Sequence, residues 1–226
     1  MKFPTHLIFT LLLSVPVLFS FKGYGQEKQD EKIVASTKVM KEFSEMKDNI
    51  PKKLFEITEG IIVIPKLINA GFVLAGKRGK GVAMVKLSDG TWSDPVFVTI
   101  TGGSLGFQVG VQSVDLVLIF RNNETLENIG KGSFTLGGDI SVTAGPVGRN
   151  STASTDYKLE AEVYSYSRSK GLFAGISLSG SAIDIDEKSN AVFYGKDLDA
   201  KTLFAESTNT TSSVTALKKT LKDLYR

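Results

Sequence analysis

The sequence predicts an α+β fold, a largely antiparallel, glycine-rich bent sheet or partial barrel covered by N-terminal helices and a C-terminal helix. Three observations carry this. Residues 92–120 open on Trp92 and a Ser-Asp-Pro turn signal, run through Val96-Phe97-Val98-Thr99-Ile100, and close on the nearly unbroken apolar run 114–120. Such β-branched and aromatic runs bounded by Gly and Pro read as buried strands. Gly102, Gly103, Gly106 and Gly110 punctuate the middle of that stretch. Glycines inside strand-like sequence mark bulges or a close approach of another backbone or a ligand, or they simply relieve crowding. Helical periodicity is clearest toward the two ends of the remaining chain, at 26–49 and 214–225.

The order of elements follows from local signals. In 26–49, Ile33, Thr37, Met40, Phe43, Met46 and Ile50 recur at spacings of three and four, with Lys28, Glu31, Lys38, Glu42 and Glu45 between them. This is an amphipathic helix that either covers the sheet or lies on a membrane; its mixed charge argues against the second, because interfacial helices usually carry a Lys/Arg-rich polar face. A second helix spans 51–59, with Pro51 in its first turn and Gly60 as its stop. Residues 61–64 read as a short strand ended by Pro65. Residues 71–75 and 82–87 read as a hairpin whose tip is the basic, glycine-rich 76–81, and Asp89-Gly90 signals another. Beyond the central stretch, 123–129 reads as a short helix capped by Asn122 or Asn123, 134–144 as a strand interrupted at Gly137-Gly138, and 158–166 as a strand. A turn at 168–171, a strand at 172–181, an acidic loop at 183–189, a helix at 199–205, a polar linker at 208–213 and the terminal helix complete the chain.

Composition narrows the chemistry. The 226 residues suffice for one domain with a real core. Residues 1–25 read as a cleaved secretory signal: Lys2 at the start, an apolar stretch at 7–21 interrupted by Pro16, and small residues before a cut ahead of Gln26. That apolar stretch is shorter than the roughly 20 residues needed to cross a bilayer. The expected product is exported, periplasmic or secreted, with a main domain at 26–206 and a polar linker and helix at 207–226. Without Lys2 and Lys22 the chain holds 25 basic residues against 24 acidic, which argues against a nucleic-acid partner. There is no cysteine, and the single histidine, His6, lies in the expected signal. That removes thiolate or imidazole zinc sites, thiol nucleophiles and any triad with an imidazole base. No cofactor, metal or catalytic residue is predicted.

Three catalytic patterns fail on inspection. Residues 71–78 nearly match GxxxxGK[ST], but Arg78 stands where the magnesium-binding hydroxyl belongs. Ser167-Arg168-Ser169-Lys170 fits S-x-x-K but lacks its companion motifs. Asp184, Asp186, Glu187, Asp197 and Asp199 lack the glycine and distal glutamate of an EF-hand loop. What remains is a set of basic residues beside glycine or serine in predicted turns: Lys77, Arg78, Lys80, Arg149, Arg168 and Lys170. Backbone N–H groups in such turns can join cationic side chains around an anion, although turns are also where ordinary solvated charges collect.

At these residues the chain resembles the SYLF family of lipid-binding domains, from about residue 33 to 206. The matching motifs are Ile64-Pro65-Lys66 with Ala70-Gly71, Gly79-x-Gly81, Trp92-Ser93-x-Pro95 and Gly106-x-Gln108-x-Gly110. Further on come Gly137-Gly138, residues 144–149 (AGPVGR), 164–167 (YSYS) and 170–175 (KGLFAG). The resemblance implies a non-enzymatic domain that binds acidic membrane lipids; eukaryotic relatives recognise phosphoinositides, and some bundle actin beside an SH3 or FYVE domain. This chain departs in its export signal, in lacking such a partner domain, and in a C-terminal helix past the resemblance. The expectation carried over is affinity for anionic phospholipid or lipopolysaccharide phosphate, by peripheral membrane contact. Lys77, Arg78, Lys80, Arg149, Arg168 and Lys170 are the expected head-group ligands, and Ile33, Met40, Phe43 and Met46 the expected apolar contact. A scaffold that binds a protein partner is the alternative.

Overall fold

The computed structural model describes residues 22–46, 49–129, 134–145, 161–170, 172–173, 176–205 and 207–224. The expected signal core and Arg149 lie outside them. Two very long antiparallel strands, β1 (Gly60–Val85) and β2 (Val96–Phe120), pair along nearly their whole length as a ribbon. The other strands are short: β3 (Phe134–Leu136), β4 (Val142–Ala144), β5 (Val163–Ser169), β6 (Leu172–Phe173) and β7 (Ser181–Ile185). The sheet order is β3-β7-β2-β5-β4, with β1 on β2 and β6 on β5.

The ribbon is folded in two. A Cβ on Gly81 would sit 1.9 Å from the Val63 carbonyl oxygen, and one on Gly79 would sit 2.5 Å from Ile64 Cγ2. The Lys86 amide donates to the Glu59 carbonyl at 2.8 Å. Each of these pairs is centred near residue 72, where the pairing shifts between Gly71 and Val73 and β2 carries its extra residues before Gly110, at φ 136°. An insertion of this kind bends a strand and increases its twist. The free edge of β2 then serves two partners: residues 98–102 pair with β7, and 115–120 with β5. β3 extends from β7 and β4 from β5, and only residues 137–141 separate β3 from β4. The sheet therefore curls into a nearly closed barrel.

Both faces of the folded ribbon are buried, and residue parity sorts them. Ile62, Ile64, Leu67, Ala83, Val85, Val98, Ile100, Leu116 and Leu118 point inward to one core. That core is closed by α3 (Asn123–Ile129) through Leu126 and Ile129 and by α5 (Ala200–Ala205) through Leu203 and Phe204. Ile61, Val63, Val82, Met84, Val117 and Ile119 point outward to a second core under α1 (Lys22–Ser44), α2 (Lys52–Glu56), α4 (Glu187–Tyr194) and α6 (Ser212–Asp223).

Most departures from the predicted order trace to this folding. Residues 76–81 are not a hairpin tip but the middle of β1: Gly79 and Gly81 keep extended backbone and admit a crossing strand instead of turning the chain. Pro65 does not end a strand. It sits in a bulge between Ile64 and Leu67 where Lys66 takes φ 56° and its amide finds Asp115 Oδ1 at 3.0 Å. The helix expected at 26–49 runs Lys22–Ser44, and the second is shorter than expected, with Pro51 at its N-cap. The strand expected at 134–144 is two strands separated by the Gly137-Gly138 turn. Of the strand at 172–181, β6 takes only the first two residues. The loop at 183–189 is the end of β7 and the start of α4, whose N-terminus Asp186 caps through the Ser189 amide. The helix at 123–129, the terminal helix and the capping of Glu124 by Asn122 agree with expectation.

The crossing is testable by equilibrium denaturation. Gly81→Ala drives a methyl into the Val63 carbonyl and should cost about 3 kcal/mol. Gly76→Ala, where a Cβ meets nothing within 4 Å, should shift stability by less than about 1 kcal/mol.

Candidate functional site

The structure separates the expected head-group ligands into different environments. Lys77 is 4% exposed, and its Nζ donates to the Ser177 carbonyl at 2.5 Å. Burial lowers its pKa from the usual lysine value. Its partner across the ladder is Gly102, so no side chain on the adjacent strand stands in the way of the lysine stem. Arg168 is also buried. It pairs with Glu42 of α1 and, at 2.7 Å, with Asp115 of β2, and its guanidinium lies 5.6 Å from the Phe43 ring centroid. This is an internal clamp of helix on sheet, not a phosphate ligand. Arg78, Lys80 and Lys170 are exposed, Lys170 in the β5–β6 turn at φ 50°. The expected apolar membrane contact fails for the same reason that the helix forms: Ile33, Met40 and Phe43 are fully buried against the outer face of the ribbon, and Met46 packs beside them.

A different surface emerges at the bend. Ile68, Val111 and Leu172 are exposed by 41%, 77% and 73%. Register brings the first two together. Ala70 pairs with Val111 and Ile68 with Ser113, which puts Ile68 and Val111 on one face as diagonal neighbours. The Ser169 hydroxyl donates to the Ser113 carbonyl at 3.2 Å, and Ser169 pairs with Leu172, which puts Leu172 at the same end of the sheet on its other face. Large apolar side chains left in water side by side, as Ile68 and Val111 are, are a recognised sign of an interaction surface.

Exposed basic side chains lie on β1, on α1 and in the β5–β6 turn. Lys66 leaves the bulge two residues before Ile68, and Lys170 turns the β5–β6 hairpin. Arg78 and Lys80 project from β1 on the face that carries Val82. Lys28 and Lys32 stand one turn apart on α1. Burial first, and then the charges of Lys66, Lys28 and Lys80, lower the Lys32 pKa. Lys80 is the compensated member, paired with Asp186 at 2.5 Å. Burial pushes the Asp186 carboxyl up, but the bonds from Lys80 and Ser189 outweigh it and hold the group below the usual range. The arrangement is a set of mutually repelling ammonium groups that an external polyanion would stabilise. Sequence reading missed Lys28, Lys32, Lys66, Ile68, Val111 and Leu172. Their signal is slight, an apolar residue beside Asn69 and another beside Gln112 in a glycine-rich stretch.

Among the described residues no His/Cys/Asp/Glu group could hold a metal ion, and no helix is long and apolar enough to cross a membrane. Exposed cations and exposed apolar side chains at one end of the sheet are the surface features this α+β fold leaves open. The comparisons with known proteins place it more closely. A family profile described as "Las17-binding protein actin regulator", Ysc84, matches residues 101–224, which includes α6. The chain belongs to the Ysc84 (SYLF) family. It is 35% identical over 193 residues to "LAS seventeen-binding protein 3" of Saccharomyces cerevisiae, covering 84% of this chain and 41% of that protein. It is 38% identical over 159 residues to "Protein YSC84" of the same yeast, covering 69% and 34%. To the human "SH3 domain-containing YSC84-like protein 1" it is 34% identical over 172 residues, covering 73% and 50%. The chain thus spans half or less of these relatives, the first of which is named as a binding protein.

Two stability measurements test the site. Arg168→Met leaves Glu42 and Asp115 without their shared cation and should cost about 3 kcal/mol by denaturant titration. Because the folded state holds the Lys32 pKa low, its charge opposes folding at neutral pH, and that opposition fades as pH rises through the lowered value. Lys32→Met should therefore raise Tm at pH 7 by about 2 °C. The variant should also gain less than the native protein from added inorganic phosphate.

Proposed function

We propose that this domain binds anionic, phosphate-bearing amphiphiles peripherally at a membrane surface, bend first, and does so as an exported protein of the bacterial envelope. The single observation that carries the reading is the exposed pair Ile68 and Val111 on one face of the bend, with Leu172 exposed at the same end of the sheet and the exposed cations Lys66, Arg78 and Lys170 on the same strands and turn. The apolar tip is small enough to enter the head-group layer, and the cations meet phosphates around it. Each cation is worth about 1 kcal/mol near an anionic membrane, so three or four together produce reversible, salt-sensitive attachment. Anionic phospholipid and lipopolysaccharide phosphate share this chemistry. The family resemblance supports the same reading, and the amino-terminal 25 residues support export.

The second reading, a scaffold that binds a protein, is favoured by a specific observation: the yeast relative is named for binding another protein. The two separate in one experiment, sedimentation of the mature protein with phosphatidylglycerol-containing and with purely phosphatidylcholine vesicles. The lipid reading expects recovery with the anionic vesicles only, falling as salt rises. Lys66→Glu with Arg78→Glu should weaken binding by about thirtyfold or more, the loss of two such cations. Val111→Asp with Leu172→Asp should reduce it about tenfold even at low salt. Equal recovery on both vesicle types, or indifference to both double variants, overturns the reading and leaves the protein-binding one.

A further inference from the structure

The folding of the ribbon brings its two ends together far from the bend, roughly ten strand residues or about 30 Å away. There the β1–β2 turn, α2 and α6 line an open cavity of about 690 Å³. Its size is within the range of about 300–1,000 Å³ usual for small-ligand sites. We propose that this cavity binds an amphiphilic organic anion, with its apolar body against Phe55 and Trp92 and its acid group held by Lys86, Lys219 and Lys222.

The floor is aromatic. Phe55 and Trp92 pack at 6.2 Å between ring centroids with a 46° tilt, and Leu221 of α6 lies beside them. The walls are built by a buried carboxylate. Asp94, 2% exposed, accepts from the Thr208 amide at 3.1 Å and the Asn209 amide at 3.0 Å, and from Lys218 Nζ at 2.6 Å. Lys218 also donates to Ser207 Oγ at 2.9 Å. One acid thus ties the linker ahead of α6, and α6 itself, against the strand turn, and consumes Lys218 in doing so. The cavity is preformed by these bonds.

The other three lysines are differently placed. Lys86 Nζ lies 5.8 Å from the Trp92 ring centroid and reaches the Glu56 carbonyl only at 3.5 Å, the outer limit of a hydrogen bond. Lys219 and Lys222, three apart and so on one side of α6, both line the cavity. Neither has an ion-pair partner among the described residues. Of the two carboxylates on the rim, Asp89 is turned to its own loop, accepting from the Thr91 amide at 2.8 Å and hydroxyl at 2.6 Å. Glu56 remains, at the α2 side. An aromatic floor with the uncompensated ammonium groups of Lys219 and Lys222 on the α6 wall suits a ligand that is apolar at one end and anionic at the other. A neutral hydrocarbon would leave the lysines unused, and a free inorganic anion would leave the aromatic floor dry but empty.

Trp92 is the sole tryptophan of the sequence, so its emission reports this site alone. Titration with 8-anilinonaphthalene-1-sulfonate should give saturable energy transfer from Trp92, displaced by octyl phosphate and not by an equal concentration of octanol. Lys219→Gln with Lys222→Gln, at exposed helix positions that tolerate Gln, should weaken the probe by tenfold or more without loss of vesicle binding. Val111→Asp with Leu172→Asp should do the reverse, so the two sites fail separately. Absence of saturation, displacement by octanol as good as by octyl phosphate, or unchanged affinity in the double Gln variant would overturn the proposal.

Discussion

The structure depends on one close approach, the passage of β1 over itself at Gly79 and Gly81. There a strand backbone lies against the Val63 carbonyl and the Ile64 side chain with no room for a methyl group. Everything else is arranged by that contact. It turns a hairpin of two very long strands into a double layer, and it lets one β2 edge serve β7 at one end and β5 at the other. It also places the ends of the ribbon, and hence α2 and the cavity beside α6, at the pole away from the bend.

A folded ribbon has two faces to bury, which explains why the chain carries two cores. The inner face is filled by its own side chains and closed by α3 and α5; the outer face needs separate cover, and α1, α2, α4 and α6 supply it. The buried clamp of Arg168 on Glu42 and Asp115 fastens α1 to that outer face, and Asp94 fastens α6. Buried ion pairs of this kind contribute position more than stability, because desolvation offsets most of the attraction. Their effect is to fix which parts of the outer face stay uncovered. Those parts are the bend, with its exposed apolar and basic side chains, and the cavity beneath the strand turn.

The functional reading rests on that exclusion. Charges that serve the fold, at Lys77, Arg168 and Lys218, are turned inward and hydrogen-bonded. Charges left at Lys66, Arg78, Lys170, Lys219 and Lys222 are exposed, and the local excess they create is invisible in a chain whose overall balance is near neutral. Membership of the Ysc84 family agrees with a binding role, while the ligand comes from the surface chemistry of this chain.

Read alone, the amino-acid sequence determined the α+β class, the strand character of residues 96–120, the helices at 123–129 and near the C-terminus, the absence of thiol and imidazole chemistry outside the first residues, and the family. These depend on local periodicity, capping and composition, which neighbouring residues settle among themselves. The partners of individual side chains were not legible. Gly79 and Gly81 look like a turn because a turn and a tight crossing both require a missing Cβ, and only a strand arriving from eighteen residues away distinguishes them. Ile33, Met40 and Phe43 form the same apolar stripe whether a membrane or a sheet covers it. Lys77 and Arg78 are adjacent in sequence yet face opposite sides of β1, so one became an internal donor and the other a surface charge. Tertiary structure decided these because burial is a property of what lies across the gap, and that lies far along the chain.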